Sequence, residues 1–413
     1  MVPSRKLLIL AKVLPEPASS AAGSRMLQVI DVFREGVWKV EMASVAKPGA
    51  YSVDVKKLGI PFHAVELNEP SFDTFIAEAK PEVVLFDRFM TEEQFGWRVR
   101  EHCPQALLLL DTEDLHGLRG GRENAVKENR PFVAADLFNP TAFREIASIL
   151  RCDVSLIISE FEMKLLKDFF CVQASQLFYL PFLLGPAELQ PIEKSLSLHE
   201  RRHFISIGNF LHEPNLDAVK YLHKTIWPGI RKQLPEAELH VYGAYLPPSI
   251  AQLHSEANGF IVKGRAHEAR EVVRAARLLL APLRFGAGLK GKLLEAMLCA
   301  TPSICSSIAA EGMKADGPWP GSIADDAEVF IREAVELYQN ENKWMQASER
   351  CGPTLLPFER ENFSGAFLSL IETCINNLKE HRSKNFTGAL LQQQQFNSSK
   401  YMSLWIEAKN KLY

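Results

Sequence analysis

The sequence has no apolar run near the ~20 residues needed to span a bilayer. It also has no basic excess: 47 Lys and Arg against 50 Asp and Glu leave a formal net charge of −3, so nucleic acid is not an expected partner. Cysteine is scarce, with seven in 413 residues and no C-x-x-C spacing among them. An odd, scattered set of this kind excludes a disulfide scaffold and suits small apolar core residues in a reducing compartment. The opening "MVPSRKLLILAKVLPEP" puts a basic pair before an apolar run, but Lys12 interrupts the run and two prolines end it. It reads as a first strand rather than a signal peptide. A cytoplasmic protein is expected, with peripheral contact to the inner face of a membrane left open.

What is present is the composition of a globular chain, 47% hydrophobic and 23% charged, with enough length for two domains of roughly 150–200 residues each. Short apolar runs alternate with amphipathic segments, the pattern of a parallel sheet covered by helices. In the first half the runs are "KLLILAKVL" (6–14), "WKVEMASVA" (38–46), "PFHAVEL" (61–67), "EVVLFD" (82–87), "ALLLLD" (106–111) and "DVSLIIS" (153–159). Residues 185–203 are polar and proline-containing, and the alternation restarts at "FISIGNF" (204–210). The expected fold is α/β: two doubly wound, Rossmann-like domains facing across a cleft, with ligands at the carboxyl ends of the strands. The boundaries read as 1–184, a linker 185–203, a second domain 204–382, and a carboxy-terminal connection 383–413.

The stretch "PLRFGAGLKGKLLEAMLC" (282–299) follows a buried strand and leads into a helix. Gly286, Gly288 and Gly291 let a ligand approach the backbone, and the helix start offers unpaired N–H groups with a partial positive charge. Arg284, Lys290 and Lys292 add formal charge, so the stretch fits a diphosphate, against the plainer alternative of a glycine turn with solvated lysines. Glu295 lies off the apolar stripe of Leu294, Met297 and Leu298. It either pairs with Lys292 or accepts hydrogen bonds from ribose hydroxyls. A dinucleotide fingerprint is disfavoured, because "GAGLKG" falls late in the second half. Two first-half stretches also follow strands and lead towards the cleft. In "DTEDLHGLRGGRE" (111–123), Asp114 and His116 precede Arg119 and Arg122; it is either a solvated loop or a polar site. In "SSAAGSRMLQ" (19–28), Gly23, Ser24 and Arg25 open a helix, as an ordinary capped turn or as backbone donors facing the cleft. The D-x-x-D spacing of the first stretch is not a D-x-D metal motif.

"FISIGNFLHEPNLDAVKYL…WPGIRKQLPEAELHVYG…VKG…RLLLAPLRFGAGLKGKLLEAMLCATPSICSSIAAEGM" resembles the nucleotide-sugar-binding domain of group 1 glycosyltransferases, the family 4-like retaining enzymes of GT-B fold, over about residues 204 to 313. The resemblance implies a retaining, metal-independent glycosyltransferase of polysaccharide biosynthesis, with no cofactor. It would move a sugar from a nucleotide-diphosphate sugar to a glycan, lipid-linked or small-molecule acceptor. It further implies that Gly208 and Asn209 end the first strand of the donor site, that Gly286, Gly288, Leu289 and Lys290 hold the diphosphate, and that Glu295 holds the ribose. Glu311 and Gly312 would lie near the sugar or nucleoside, and Asp114 or His116 beside the transferring sugar or acceptor. Gly23, Ser24, Arg25 and Arg119 would approach the diphosphate or acceptor from the first domain.

Two positions depart from the family pattern. Ala287 stands where the first glutamate of E-x7-E belongs, and Asn209 and Pro214 stand where a basic pair belongs. Lys290, with Arg284 or Lys292 and secondarily His212, is then expected to meet the phosphate charge. A non-catalytic nucleotide-sugar-binding protein of a glycan assembly complex, or an epimerase or hydrolase on the same fold, remains an alternative. The final helix of such a fold commonly crosses back onto the first domain, where Met402, Trp405 and Ile406 are the stripe expected to be buried.

Overall fold

A computed structural model describes residues 5–189, 196–313, 317–395 and 400–410. Seven parallel strands make the first sheet: β1 (Lys6–Ala11), β2 (Lys39–Ser44), β3 (Phe62–Ala64), β4 (Val83–Asp87), β5 (Leu107–Asp111), β6 (Val154–Ile157) and β7 (Leu177–Tyr179), in the order β3-β2-β1-β4-β5-β6-β7. Leu7 and Ile9 enter the core on one face, and Leu8 and Leu10 the core on the other. Burial on both faces is why the strand reads as an unbroken apolar run.

The second sheet is also parallel, with strands β8 (Arg202–Ile207), β9 (Leu239–Tyr242), β10 (Phe260–Gly264), β11 (Ala276–Ala281), β12 (Ser303–Cys305) and β13 (Gly321–Ile323), in the order β10-β9-β8-β11-β12-β13. Its order reverses between β8 and β11, and that of the first sheet between β1 and β4. Crevices at the carboxyl ends of such switch points are where ligands sit in open α/β sheets. The edge strand β13, with the sequence GSI, is not legible in the sequence because it carries no apolar run. No helix among the described residues is long and apolar enough to cross a membrane.

The chain returns to the first domain earlier than the boundary at 382 implies. Leu184 N donates to Phe358 O (2.8 Å) and Arg360 N to Leu184 O (2.9 Å), so the outgoing and returning segments run side by side. The helix Glu361–Asn376 then buries Phe367, Ile371 and Cys374 in the first domain's core. Arg382 clamps Asp153 with two bonds of 2.8 Å. The helix Phe386–Gln395 lies on the helix Pro140–Arg151, with Gln392 Nε2 on Arg151 O at 2.9 Å. Of the polar tract 390–400, residues 396–399 lie outside the described residues; of the linker, residues 190–195 do.

The last helix, Tyr401–Asn410, does reach the first domain, but with a different face from the one expected. Ser403 and Glu407 are buried, whereas Met402 and Trp405 remain 59% and 60% exposed. The cause is the buried guanidinium of Arg98, which takes Ser403, Glu407 and Asp73 as partners and so turns the polar face inward. A buried charge demands such partners more strongly than an apolar stripe demands cover.

Candidate functional site

The loop 282–290 leaves the end of β11 and enters the helix Gly291–Leu298, which has no capping side chain. Gly286 (φ +156°) and Gly288 (φ +64°) take backbone conformations that side chains disfavour. A Cβ on Gly288 would lie 2.8 Å from Asp114 Cβ, and one on Gly291 would overlap the Ala21 methyl. The positive ends of two helices, Ala21–Glu35 and Gly291–Leu298, therefore meet across the domain boundary.

The first domain grips this loop with side chains. Glu162, fully buried, accepts hydrogen bonds at Oε1 from Gly288 N (2.8 Å) and Leu115 N (3.0 Å). Its Oε2 has no hydrogen-bond partner among the described residues, and burial, with Asp114 nearby, raises its carboxyl above the usual range. Arg122 donates to Gly286 O (2.8 Å) and makes two parallel bonds of 2.8 Å to Glu311 of the second domain. On the far side of the boundary, Tyr245 Oη donates to Glu16 at 2.9 and 3.0 Å.

The expected phosphate cations separate into two that converge on the loop and one that does not. Lys290 Nζ donates to Ala287 O (2.9 Å) and Gly288 O (2.7 Å); burial lowers its pKa, with Glu311, Glu162 and Asp114 opposing. Lys292 Nζ donates to Asn215 Oδ1 at 2.7 Å, and burial followed by repulsion from Lys290 lowers it to about 7. Arg284 turns away. It pairs with Asp217, stacks over Tyr221 at 5.2 Å, and lines a cavity of about 310 Å³ with Pro282 and Leu283 of the same loop and with Ser306, Ser307 and Asp325. Glu295 pairs with Arg270 (3.1 Å) rather than with Lys292. Leu289 is buried against Gly312, and Glu311 faces the loop through Arg122. Gly208 and Asn209 follow β8, with Asn209 O accepting from Asn215 Nδ2 at 2.7 Å, so the β8 turn and Lys292 share one partner.

Facing the loop, the β5 tip gathers Asp114, His116 and Arg119. Glu145 accepts His116 N (2.9 Å) and Gly117 N (3.0 Å), fixing the start of the helix His116–Lys127. His116 Nδ1 lies 3.2 Å from Asp114 Oδ1 and 3.4 Å from Glu145 Oε1. Burial opposes ionisation of Asp114, but its pair with Arg119 and the neighbouring His116 outweigh it and hold the carboxyl well below the usual range. Glu113 behaves oppositely: burial and the nearby Asp111 raise it. His212, at the β8 side, adjoins this group; desolvation between the facing loops, with Asp114 opposing and Arg119 and Arg88 assisting, lowers its imidazole to about 4 although the residue as a whole is exposed.

The "SSAAGSRM" turn is structural in part. Gly23 is needed because a Cβ would lie 2.5 Å from the Glu16 backbone, and its N–H is taken by the cap Ser20 at 3.1 Å. The Ser24 hydroxyl faces Pro17 O at 3.4 Å. Arg25 does not reach the cleft surface as expected. It is fully buried, bonded to Asp111 (2.6 Å) and Leu180 O (2.8 Å), and joins the first helix to the tips of β5 and β7. Glu162 and Glu145 escape sequence reasoning because "EFEMKLL" and "FREIASIL" show only amphipathic spacing; nothing in them points across to another element.

Residues 201–340 match the profile of the family described as glycosyl transferases group 1. No curated protein matches the sequence. Among solved structures, a sucrose-phosphate synthase from Thermosynechococcus elongatus superposes with a TM-score of 0.68 at 15% identity, covering 90% of this chain and 99% of that one. Anabaena Alr3699/HepE, in complex with UDP and glucose, gives 0.64 at 11% identity over 89% and 100% of the chains. S. aureus TarM, as a G117R mutant with fondaparinux, α-GlcNAc-glycerol and UDP, gives 0.65 at 8% identity over 89% and 100%. At these identities the likeness establishes the two-domain architecture.

Proposed function

We propose, from the premise that the chain carries a group 1 glycosyl transferase domain on a GT-B fold, that it transfers a sugar from a nucleotide-diphosphate sugar to a glycan, lipid-linked or small-molecule acceptor held against the first domain. The observation that carries this reading is the glycine loop 285–290. It ends β11 at the switch point, opens an uncapped helix, and faces Asp114, His116 and Arg119 of the other domain. The diphosphate is received by backbone N–H groups at Gly288 to Gly291 and by Lys290, with Lys292 behind. Glu295 leaves Arg270 to take the ribose hydroxyls. UDP in the Anabaena and staphylococcal structures supports uracil as the first base to test.

In the transfer, the anomeric C–O bond to the diphosphate breaks and its electron pair stays on the phosphate. The acceptor oxygen bonds the anomeric carbon on the same face, and its proton passes to the leaving phosphate. Fixed donors act most strongly on that leaving charge, because it develops in the transition state. Asp114 and Glu311 each already face a guanidinium, Arg119 and Arg122, which favours meeting the phosphate charge with lysines rather than with a metal. The Gly288 N–H given to Glu162 and the Arg122–Glu311 pair must be exchanged as donor enters, so binding is coupled to separation of the domains.

Ala287 supports a second reading, a nucleotide-sugar binder without turnover. It is packed among Leu115 and Leu118 of the first domain's core, and it puts no carboxylate into the loop. The test is thermal unfolding with UDP, GDP, ADP and NADH, since a ligand bound only by the folded chain raises its apparent stability. Stabilisation by one nucleoside diphosphate, followed by turnover of its sugar derivative, is expected. Stabilisation by NADH alone would overturn the transferase, and sugar-nucleotide binding without turnover across a broad acceptor screen would favour the binder.

A further inference from the structure

At the opposite end of the second sheet from the cleft, the amino ends of β8 and β9 bring His203, Glu238 and His240 together. Phe204 N donates to Glu238 O (2.8 Å), so His203 and Glu238 are neighbours across the ladder, and His240 follows two residues on along the same face of β9. Glu238 Oε2 lies 2.7 Å from His240 Nε2 and 3.5 Å from His203 Nδ1, and the three ligating atoms fall within 4.8 Å of one another. The two imidazoles stack with centroids 4.1 Å apart and planes 23° apart, so both rings present a nitrogen to the same carboxylate oxygen.

The arrangement is held by the backbone. His203 has φ +63°, a left-handed conformation costly for a non-glycine residue, which is retained here where it sets the ring beside its neighbour. All three side chains are part-exposed, leaving a path for a ligand and a place for water. Desolvation, His240 and the flanking Arg202 and Lys263 lower His203, with Glu238 opposing, and the hydrogen bond from His240 lowers Glu238.

We propose that His203 Nδ1, His240 Nε2 and the Glu238 carboxylate form a site for one borderline divalent cation of the zinc class, with water completing the coordination. Two imidazoles and a carboxylate match that class better than they match calcium or magnesium, which take all-oxygen sets. Binding replaces the hydrogen bond between His240 Nε2 and Glu238, the imidazole proton moving to Nδ1 or to solvent, and the ion pins the amino end of β8 to that of β9. The site does not touch the cleft, so it stands or falls independently of the transferase reading.

The test titrates Zn²⁺ into chelator-stripped full-length protein by calorimetry, in a Cys171→Ser background because Cys171 is the one exposed thiol. Co²⁺ is used in parallel as a spectroscopic reporter. One equivalent of Zn²⁺, a visible Co²⁺ band of low coordination number, and a rise in unfolding temperature are expected. His240→Ala and Glu238→Gln should each weaken Zn²⁺ by at least about tenfold, since even outer partners of metal ligands are worth about 10–100-fold. Glu238→Gln keeps both imidazoles and the shape of the site, so it guards against a folding artefact. Absence of a stoichiometric event in the parent, or Zn²⁺ affinity unchanged in both variants, overturns the assignment.

Discussion

Replacing Lys290 by Met tests the donor site most directly, because the ammonium it removes sits inside the loop itself. A unit charge about 4 Å from a phosphate oxygen at an effective dielectric of about 20 is worth about 4 kcal/mol gross. Lys290 already donates to Ala287 O and Gly288 O, so phosphate must displace those bonds and only the difference is gained. A net charge-assisted hydrogen bond of about 1.5–3 kcal/mol is the appropriate scale, or about 10–100-fold in affinity. Stability should move less, since Met fills the same space and removes a buried charge while leaving two carbonyls without their donor. Calorimetry should thus show the loss on the nucleoside diphosphate but little on the nucleoside.

The same residue gives the pH dependence a sign. Burial lowers the Lys290 pKa from 10.5, so its charge is lost as pH rises through the folded value. Diphosphate affinity in the parent should fall between about pH 7 and 9, a window in which the phosphates are already ionised. The Met variant should keep only the shallower slope left by Lys292, whose own pKa burial lowers. Equal losses on nucleoside and nucleoside diphosphate, or a parent affinity flat across this range, would refute the assignment of Lys290 to the phosphate.

Arg122→Met leaves Glu311 without its buried partner, costing the joined arrangement about 3 kcal/mol; solution X-ray scattering should show a larger radius of gyration, and an unchanged curve would remove the latch. Gly288→Ala forces a side chain into φ +64° against Asp114, with an expected loss of about 1–3 kcal/mol by thermal unfolding and weaker nucleotide binding. Arg25→Met strands the buried Asp111 carboxylate, for a loss of about 3–5 kcal/mol in urea unfolding. Nucleotide affinity in that variant should hold wherever it is folded, and a selective loss of diphosphate binding would return Arg25 to the donor site.

The strands were legible because burial on both faces makes each an apolar run, as "LLLLD" shows for β5. The place of the glycine loop was legible too, since a buried strand followed by glycines and a helix fixes which end of the sheet it occupies. What the sequence could not show is what meets it. Glu162, Arg122 and Glu16 reach the second domain from helices and loops whose local pattern serves only their own domain. Arg25 was placed on the correct turn but not in the correct direction, because a helix residue next to a glycine turn can face the ligand or fold beneath it. Its partner, Asp111, is 86 residues away. The last helix fails similarly: its apolar stripe is real, but a distant buried arginine decides which face turns in.

Because Phe367, Ile371 and Cys374 complete the core begun by Leu7 and Ile9, the order of synthesis differs from the order of completion. A ribosome releases the first sheet early, then makes an entire second domain before supplying the helix that closes the first. During that interval the nascent first domain exposes an apolar groove, and a transcript truncated near residue 357 would strand it permanently. The domain begun first is therefore the last to be finished, and premature termination late in the message should injure the amino-terminal half before the carboxy-terminal one.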